Sequence, residues 1–311
     1  MAAKTARAFS PAGISSFFEI CDTAPDGKPI TMMEVVGSRG GGFVIEKGVL
    51  TEINAKESKK KRIEVYINNQ PAPDAETTRT VAAMLLERAA RPYDVVIHHS
   101  VAVPIGAGFG SSAAGALSTA LALSKAVGIS LTLFQAGRMA HVAEVKCRTG
   151  LGTVGPVALG GCVVTVEPGA PGHAVIDRIP TAPEHRVVTG YCRPMLTRKV
   201  LASDKVRRRV NNCGRETVDR ILVDPSLENF MQASKEFARN AGFTTPVTEK
   251  LIDLAEKAGA IGAAQNMVGE AVHALTTVSM APKIVEVFKR VLPPRNILTA
   301  RVDVRGARLL G

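Results

Sequence analysis

Residues 104–114 decide the fold, and they read Pro104-Ile105-Gly106-Ala107-Gly108-Phe109-Gly110-Ser111-Ser112-Ala113-Ala114. An apolar strand pattern leads into three glycines at alternate positions, and two serines then open a helix rich in alanine and leucine. Glycines can adopt positive φ, which turns backbone N–H groups inward around an anion. The helix that follows directs the positive end of its dipole at the same place. The stretch therefore predicts a phosphate-binding loop, in which a serine caps the helix or holds Mg²⁺.

Two other kinds of phosphate-binding loop do not fit these residues. A Walker A loop ends in Gly-Lys-Ser or Gly-Lys-Thr, and no lysine is present here. A Rossmann loop needs a carboxylate about twenty residues further on to bind a ribose, whereas no Asp or Glu occurs from Val95 through Ala143. A plain glycine turn before a core helix is the alternative that the residues alone leave open.

Glu144 is the only acidic residue between Asp94 and Glu167. A phosphate site repels carboxylates, but Mg²⁺ needs hard oxygen ligands and commonly takes one carboxylate together with phosphate oxygens. Glu144 is therefore a candidate metal ligand, and His141, three residues earlier, projects from the same face of the helix. The alternative is a surface glutamate paired with Arg148, next to a solvated histidine.

The whole string at 104–114 resembles the second signature motif of the GHMP kinases, Pro-x-Gly-x-Gly-Leu-Gly-Ser-Ser-Ala-Ala, with Phe109 as the one difference. The resemblance implies an ATP-dependent kinase that acts on an alcohol. It also implies that Ser112 and Glu144 hold Mg²⁺ and belong to the catalytic site. The residues that it places around the ATP phosphates are Pro104, Gly106, Ala107, Gly108, Gly110, Ser111, Ser112 and Ala113.

Two further segments are similar to the pantoate kinases of archaea, a family within the GHMP kinases. Residues 10–19 look like a divergent first motif with the Phe-Phe pair of that family, without the lysine that many GHMP kinases carry. The Gly-Ser-Arg-Gly element of the family is matched at 37–40. A hydroxyl and a guanidinium beside a glycine nest suit a small carboxylate, so the resemblance implies that Ser38 and Arg39, with His141, bind substrate. Taken alone, this segment is better explained by a glycine hairpin turn with an exposed arginine.

Residues 259–269 weakly resemble the third GHMP motif, and the Asn-Met-x-Gly-Glu-Ala sequence that begins at Asn266 is closer to pantoate kinases than to mevalonate kinases. A buried junction between a helix and a strand would have a similar sequence.

The sequence departs from the family at one chemically important place. Many GHMP kinases have an aspartate, proposed as the base, shortly after the magnesium-binding glutamate, and Thr153 stands at the aligned position. Threonine cannot accept a proton at neutral pH. Thr165 likewise stands where relatives have a basic substrate-binding residue. Because phosphoryl transfer depends on positioning and charge neutralisation more than on a strong base, turnover is still expected, with Thr153 in the catalytic site.

Composition bounds the class of protein and its partners. The chain has 311 residues, of which 46% are apolar and 22% charged, as is typical of a globular protein. No apolar stretch is long enough to span a membrane, and the first residues lack the pattern of a signal peptide, so we expect a cytoplasmic protein without a membrane partner.

The net charge of +11 suits anionic ligands. The basic runs at 59–62 and 207–209 have no interleaved aromatics and are interpreted as a solvated hairpin turn and a solvated helix face, which argues against a nucleic-acid partner.

Strands and helices are mixed along the chain, which predicts the α+β class with two domains. The segment 168–172 contains two prolines and two glycines and is the best candidate for a boundary or a long turn. We therefore expect domains at 1–168 and 169–311. The resemblance implies a ribosomal S5-like N-terminal domain and a ferredoxin-like C-terminal domain, with ATP between them. A homodimer is compatible with the sequence.

The reaction that the resemblance implies is transfer of the γ-phosphoryl group of Mg-ATP to the primary alcohol of pantoate, which gives 4-phosphopantoate on the route to coenzyme A. Two alternatives stay open. A GHMP kinase for homoserine, shikimate or mevalonate would share all the ATP-binding features. A catalytically silent binding protein, with a basic surface for RNA, would explain Thr153 and the net charge of +11 together.

Overall fold

The computed structural model describes residues 3–193 and 203–311, and two β-sheets organise that part of the chain. The strands of the first sheet are β1 (Lys4–Cys21), β2 (Gly37–Glu57), β3 (Arg62–Ile67), β4 (Gln70–Pro71), β5 (Tyr93–Val101), β6 (Cys162–Glu167), β7 (Val175–Ile179) and β12 (Arg308–Leu310). They pair in the order β12-β1-β2-β5-β3-β4, with β6 on β2 and β7 on β6.

The second sheet is antiparallel and comes from the C-terminal part of the chain. Its strands are β8 (His185–Arg193), β9 (Gly262–Gln265), β10 (Glu270–Thr277) and β11 (Ile297–Arg301). They pair in the order β11-β8-β10-β9. Helices and strands are thus mixed in both parts of the chain, as the α+β prediction requires.

Helices cover both sheets. The helices are α1 (Glu76–Arg88), α2 (Ser111–Val127), α3 (Leu133–Cys147), α4 (Val154–Leu159), α5 (Asp204–Val223), α6 (Leu227–Ala241), α7 (Pro246–Lys257) and α8 (Ala281–Lys289), with a short 3₁₀ helix at Pro294–Asn296. Helix α2 lies on β1 and β2, with α1 and α3 against it, while α7 and α8 pack on the second sheet. No helix of the described residues is both long and apolar enough to cross a membrane.

Helix α2 shows why its sequence is apolar and small all round. Nearly all of its residues are buried, because the sheet lies on one side and α1 and α3 on the other. A helix without a solvent face has no polar stripe, which explains the alanine-rich and leucine-rich segment. The helix predicted after the glycine loop is found over Ser111–Val127.

Strands β1 and β2 approach each other so closely that glycine is required. A Cβ on Gly42 would lie 1.8 Å from the carbonyl oxygen of Ile14, and a Cβ on Gly40, at a φ of +150°, would lie 2.4 Å from that of Phe17. The register of the pair also shifts between Ser15 and Phe17. This close approach forms one wall of the candidate site.

One interpretation of the sequence is wrong in this structure. The basic run at 59–62 is exposed, but it is not a hairpin turn, because β3 pairs in parallel with β5 and β5 is the strand that pairs with β2. The turn at 168–172 joins the antiparallel strands β6 and β7 within the first sheet. This segment is therefore the long turn that was one of its two predictions. The second sheet begins with β8 at His185, and β12 completes the first sheet. The division into domains at 1–168 and 169–311 stays a prediction.

Candidate active site

The loop between β5 and α2 has the backbone conformation of an anion-binding nest. Gly106, Gly108 and Gly110 have φ values of 75°, 77° and 58°, in the left-handed region that glycine adopts without strain. Gly110 is the N-cap of α2, and no side chain caps this end of the helix. The N–H groups of the first turn are therefore left for an anion. Neither Ser111 nor Ser112 caps the helix, so the predicted capping role of a serine is wrong.

The turn between β9 and β10 packs directly against this loop. A Cβ on Gly108 would lie 2.9 Å from the Cβ of Asn266. The neighbouring Met267 N–H donates a hydrogen bond of 2.7 Å to the carbonyl oxygen of Ser15. The three motif-like segments of the sequence, at 10–19, 104–114 and 259–269, therefore meet at one place.

Glu144 lies beside the start of α2, and hydroxyl groups hold its carboxylate. Ser112 Oγ donates to Oε1 at 2.5 Å, and Thr149 Oγ1 donates to the same oxygen at 2.8 Å. Thr77 on α1 lies 2.9 Å from the Thr149 hydroxyl. Burial raises the pKa of Glu144 above its ordinary value, while the two hydroxyl donors act in the opposite direction. With Glu144 only 3% exposed, the surface pair with Arg148 is ruled out.

The second carboxylate oxygen of Glu144 is the atom that fits a cation. Both donors reach Oε1, and none of the described hydrogen bonds reaches Oε2. Gly150 leaves room for Oε2, since a Cβ there would lie 2.2 Å from it. The described part of the chain holds no cluster of three or more Asp, Glu, His or Cys side chains for a metal. One carboxylate and the Ser112 hydroxyl suit Mg²⁺, which takes its other ligands from water and phosphate oxygens.

A small cavity of about 50 Å³ lies next to the phosphate loop. It is formed by the first motif, the glycine-rich part of β2 and the residues that lead into α4. Its polar side chains are Ser15, Ser38, Arg39, Thr153 and Thr165. Among the described residues of the lining, Arg39 is the one charged group and no carboxylate is present.

Thr153 is held between the phosphate loop and the first motif. A Cβ on Gly110 would lie 2.6 Å from Thr153 Cγ2, and a Cβ on Gly13 would lie 2.9 Å from the same methyl group. Thr153 is also the N-cap of α4, but its side chain does not cap that helix. Its methyl group is thus packed at the edge of the cavity, and its place in the catalytic site stays a prediction.

Ser38 and Arg39 both line the cavity, and the arginine already has partners. Its Nη1–H donates to Glu19 at 3.0 Å, its Nη2–H to Asp219 at 3.3 Å and its Nε–H to the carbonyl oxygen of Val166 at 2.8 Å. One N–H on each terminal nitrogen is left for another acceptor. The substrate role of both residues stays a prediction, and a substrate carboxylate would share Arg39 with Glu19.

His141 does not reach the cavity. Its side chain is buried, its Nε2–H donates to the carbonyl oxygen of Val36 at 2.8 Å, and burial lowers its pKa. This bond connects α3 to the segment just before Ser38 and Arg39. The structure thus gives His141 a supporting position, and its predicted contact with substrate stays a prediction.

A buried polar chain behind the phosphate loop is not among the features predicted from the sequence. The Ser16 hydroxyl lies 2.9 Å from His273 Nε2, and His273 Nδ1 lies 2.9 Å from Asn266 Oδ1. Burial lowers the pKa of His273 to about 3, so the ring is neutral and donates from Nδ1 to Asn266. The available signal was a polar Asn and His in an otherwise apolar stretch. Thr149, whose hydroxyl donates to Glu144, was also missed, although it comes just after the C-cap of the helix that carries Glu144.

Comparisons with known proteins agree with this geometry. Residues 76–161 match the family model of the GHMP kinases N terminal domain. A pantoate kinase from Thermococcus kodakarensis is 31% identical over 296 residues, which cover 94% of each chain. A solved structure described as a phosphotransferase related to the CoA biosynthesis pathway is 28% identical, with a TM-score of 0.87 over 98% of both chains. A homoserine kinase from Cytophaga hutchinsonii, 18% identical, shares the fold at a TM-score of 0.69 over 99% of this chain and 98% of its own. With this identity to a relative that it matches over nearly its whole length, the chain belongs to the pantoate kinase family of the GHMP kinases.

Proposed function

We propose that the protein transfers the γ-phosphoryl group of ATP to the primary hydroxyl of pantoate, which gives 4-phosphopantoate. The observation that carries the proposal is the position of a phosphate loop, with its Ser112–Glu144 pair, next to a cavity in which Arg39 is the charged group. A nucleotide on the loop would face an acceptor whose negative end meets Arg39. The names of the curated relative and of the CoA-pathway structure support the same reaction.

The nucleotide side of the site works through backbone and hard oxygens. The nest at Gly106, Gly108 and Gly110 and the open end of α2 stabilise the negative charge of the phosphates. When bound with the nucleotide, Mg²⁺ neutralises charge on the phosphates, and Glu144 and Ser112 are the ligands that this chain offers for it. Packing fixes both ligands, because α2 and α3 lie against each other.

The acceptor side favours a hydroxy acid over a neutral alcohol. Glu19 is shared by Arg39 and Arg215, at 3.0 Å and 2.9 Å. The third carboxylate contact, from Arg39 to Asp219, involves an aspartate that is 63% exposed, and such solvent-exposed pairs are weak. A substrate carboxylate would therefore replace Asp219 on Arg39 at little cost and gain a charge-assisted hydrogen bond.

Among the described side chains that line the cavity, none can serve as a general base. The lining offers hydroxyl groups and one arginine, and phosphoryl transfer through a loose transition state does not require a strong base. We therefore assign Thr153 to positioning the acceptor hydroxyl. The proton of that hydroxyl passes to an oxygen of the transferred phosphoryl group as the new P–O bond forms and the bond to ADP breaks.

ADP release by the purified protein tests the proposal. Mg-ATP would be supplied with pantoate, homoserine, shikimate or mevalonate, and ³¹P NMR would identify the product. We expect pantoate to give a phosphomonoester and the fastest ADP release. Faster ADP release with one of the other acceptors would show that this acceptor, and not pantoate, is the preferred substrate. ATP binding without release for any acceptor would contradict catalysis and favour the silent binding protein. The homodimer stays a separate prediction, which light scattering can check.

A further inference from the structure

A second, larger cavity lies away from the candidate active site. It measures about 480 Å³ and shares no lining residue with the first cavity. Its walls are Glu46 on β2, residues 181–183 before β8, His185 at the start of β8, and residues 301–305 and 308. A volume of this size is in the range of about 300–1,000 Å³ that small-molecule sites occupy. We propose that this cavity binds a small anion that presents phosphate or carboxylate oxygens, independently of ATP and of the acceptor.

Both carboxylates that line the cavity are already paired with an arginine. Glu46 accepts the Arg301 backbone N–H on Oε1 at 3.2 Å and Arg301 Nε–H on Oε2 at 2.7 Å. Asp303 accepts two backbone N–H groups on Oδ1, each at 2.9 Å, and Arg308 Nη1–H on Oδ2 at 3.1 Å. Each of the two carboxylates therefore already has an arginine partner, Arg301 for Glu46 and Arg308 for Asp303.

The donors of the cavity are in excess. Arg305 is exposed and its guanidinium has no partner among the described residues. His185 Nδ1 accepts the Ala182 N–H at 3.0 Å, so the proton of the neutral ring is on Nε2, where it is free to be donated. Arg301 pairs with Glu46 through Nε alone, which leaves its terminal nitrogens. For its two carboxylates, the described lining has three arginines, Arg301, Arg305 and Arg308. Its free N–H groups suit a ligand rich in acceptors, and arginine matches phosphate and carboxylate in a bidentate way.

Two backbone hydrogen bonds connect the wall of this second cavity to α4 and the residues that follow it, and α4 reaches the candidate active site. The Ala307 N–H donates to the carbonyl oxygen of Val157 at 3.0 Å, and the Gly161 N–H donates to that of Asp303 at 2.7 Å. Helix α4 has six residues, and Thr153 is its N-cap. An anion held by Arg305 would therefore stiffen the turn at 303–307, which is bonded to one end of a helix whose other end lines the first cavity.

Titration calorimetry at constant ionic strength tests the binding site, with pyrophosphate and citrate as probes. The variants are Arg305→Gln and, as a matched control, Arg295→Gln, which removes another exposed arginine without a described partner. We expect Arg305→Gln to lose at least tenfold in affinity for one probe, and Arg295→Gln to bind like the wild type. The probe that responds distinguishes a phosphate from a carboxylate ligand. Equal affinities in all three proteins, or no binding of either probe, would overturn the site. Pyrophosphate can also bind at the phosphate loop, but that binding is the same in all three proteins and does not affect the comparison of their affinities.

Hydrogen–deuterium exchange tests the contact with α4. We expect the probe to slow amide exchange over 154–159 in the wild type and in Arg295→Gln, but not in Arg305→Gln. Binding with unchanged exchange in α4 would refute the coupling. Neither experiment uses ADP release, so the anion site can stand or fall without regard to the proposed kinase activity.

Discussion

Ser112 on α2 and Glu144 on α3 are joined by a hydrogen bond of 2.5 Å, which fixes a buried carboxylate beside the phosphate loop. Two helices packed against each other hold this pair, so its geometry does not depend on a mobile loop. No described cation neutralises Glu144, whose partners are hydroxyl groups. A buried, uncompensated charge destabilises a fold, and a bound metal would remove that penalty.

Glu144→Gln should abolish most activity and stabilise the protein. Removing a charged metal ligand is expected to lower kcat by at least about 10²-fold. Burial raises the pKa of Glu144, so its contribution to stability is present at low pH and is lost as the pH rises through that raised pKa. The Gln variant should therefore unfold at a higher temperature than the wild type at neutral pH without nucleotide, and this advantage should shrink in acid. Glu167→Gln, at an exposed position, is the control. If Glu144→Gln turns over as fast as the wild type and still requires Mg²⁺, Glu144 is excluded as the metal ligand.

Gly150→Ala should weaken metal use without unfolding the protein. The added Cβ would lie 2.2 Å from Glu144 Oε2, and the carboxylate would have to move away from the position that fits Mg²⁺. We expect a several-fold higher Mg²⁺ concentration for half-maximal activity, with a nearly unchanged melting temperature. Gly115→Ala is the matched control, because the nearest side-chain atom would be 3.8 Å away. An identical Mg²⁺ dependence in both variants would contradict this position for the metal.

Arg39→Ala should raise the KM for pantoate far more than the KM for ATP. Loss of a charge-assisted hydrogen bond typically costs about 1.5–3 kcal/mol, or roughly 10–150-fold. Asp219→Asn is the second variant to measure, because it weakens the exposed contact of Asp219 with Arg39. If a substrate carboxylate replaces Asp219, the Asn variant should bind pantoate as well as the wild type or better. Equal effects of Arg39→Ala on both KM values would place this arginine outside the acceptor site.

Thr153→Val should retain much of the activity if positioning is the whole role of this residue. Valine keeps the branched shape that packs against Gly13 and Gly110. Thr153→Asp tests the opposite idea, because a positioned general base is typically worth about 10²–10⁴-fold in rate. A carboxylate near the phosphates would also oppose ATP binding, so kcat and KM must be measured separately. An inactive wild type that is rescued by the Asp variant would show that the missing base matters.

The buried His273 should make the fold sensitive to acid. Its pKa is lowered to about 3 by burial, so in the folded state it stays neutral while the unfolded chain takes up a proton below its ordinary value. Stability should fall as the pH drops from about 6.5 towards 3, by about 1.4 kcal/mol per pH unit in that window. Urea unfolding at several pH values should show a shallower pH slope for His273→Gln than for His173→Gln, an exposed control. Equal slopes would mean that His273 is not the group that titrates.

The local parts of the site could be predicted, and the long-range parts could not. The GHMP kinase fold and family are confirmed. They could be predicted because one contiguous glycine-rich string carries the phosphate loop and the start of α2. Glu144 is a candidate metal ligand because acidic residues are absent around it in the sequence. The structure places its carboxylate next to Ser112, and its role as a metal ligand stays a prediction. The partners of Arg39 were out of reach, since Glu19 and Asp219 come from β1 and α5. A periodicity of three residues placed His141 beside Glu144 on the helix, but it cannot say which neighbouring backbone the ring meets.

The pairing of β1 with β12 has a consequence for folding. Ala8 pairs with Leu309 across the first sheet, so this edge joins residues that lie far apart in the sequence. While β12 is unpaired, the first part of β1 has β2 on one side and an open row of backbone donors and acceptors on the other. Open strand edges can pair with other chains, and contacts between such distant residues form slowly. We therefore expect folding intermediates in which β12 has not yet paired with β1 to be prone to aggregation.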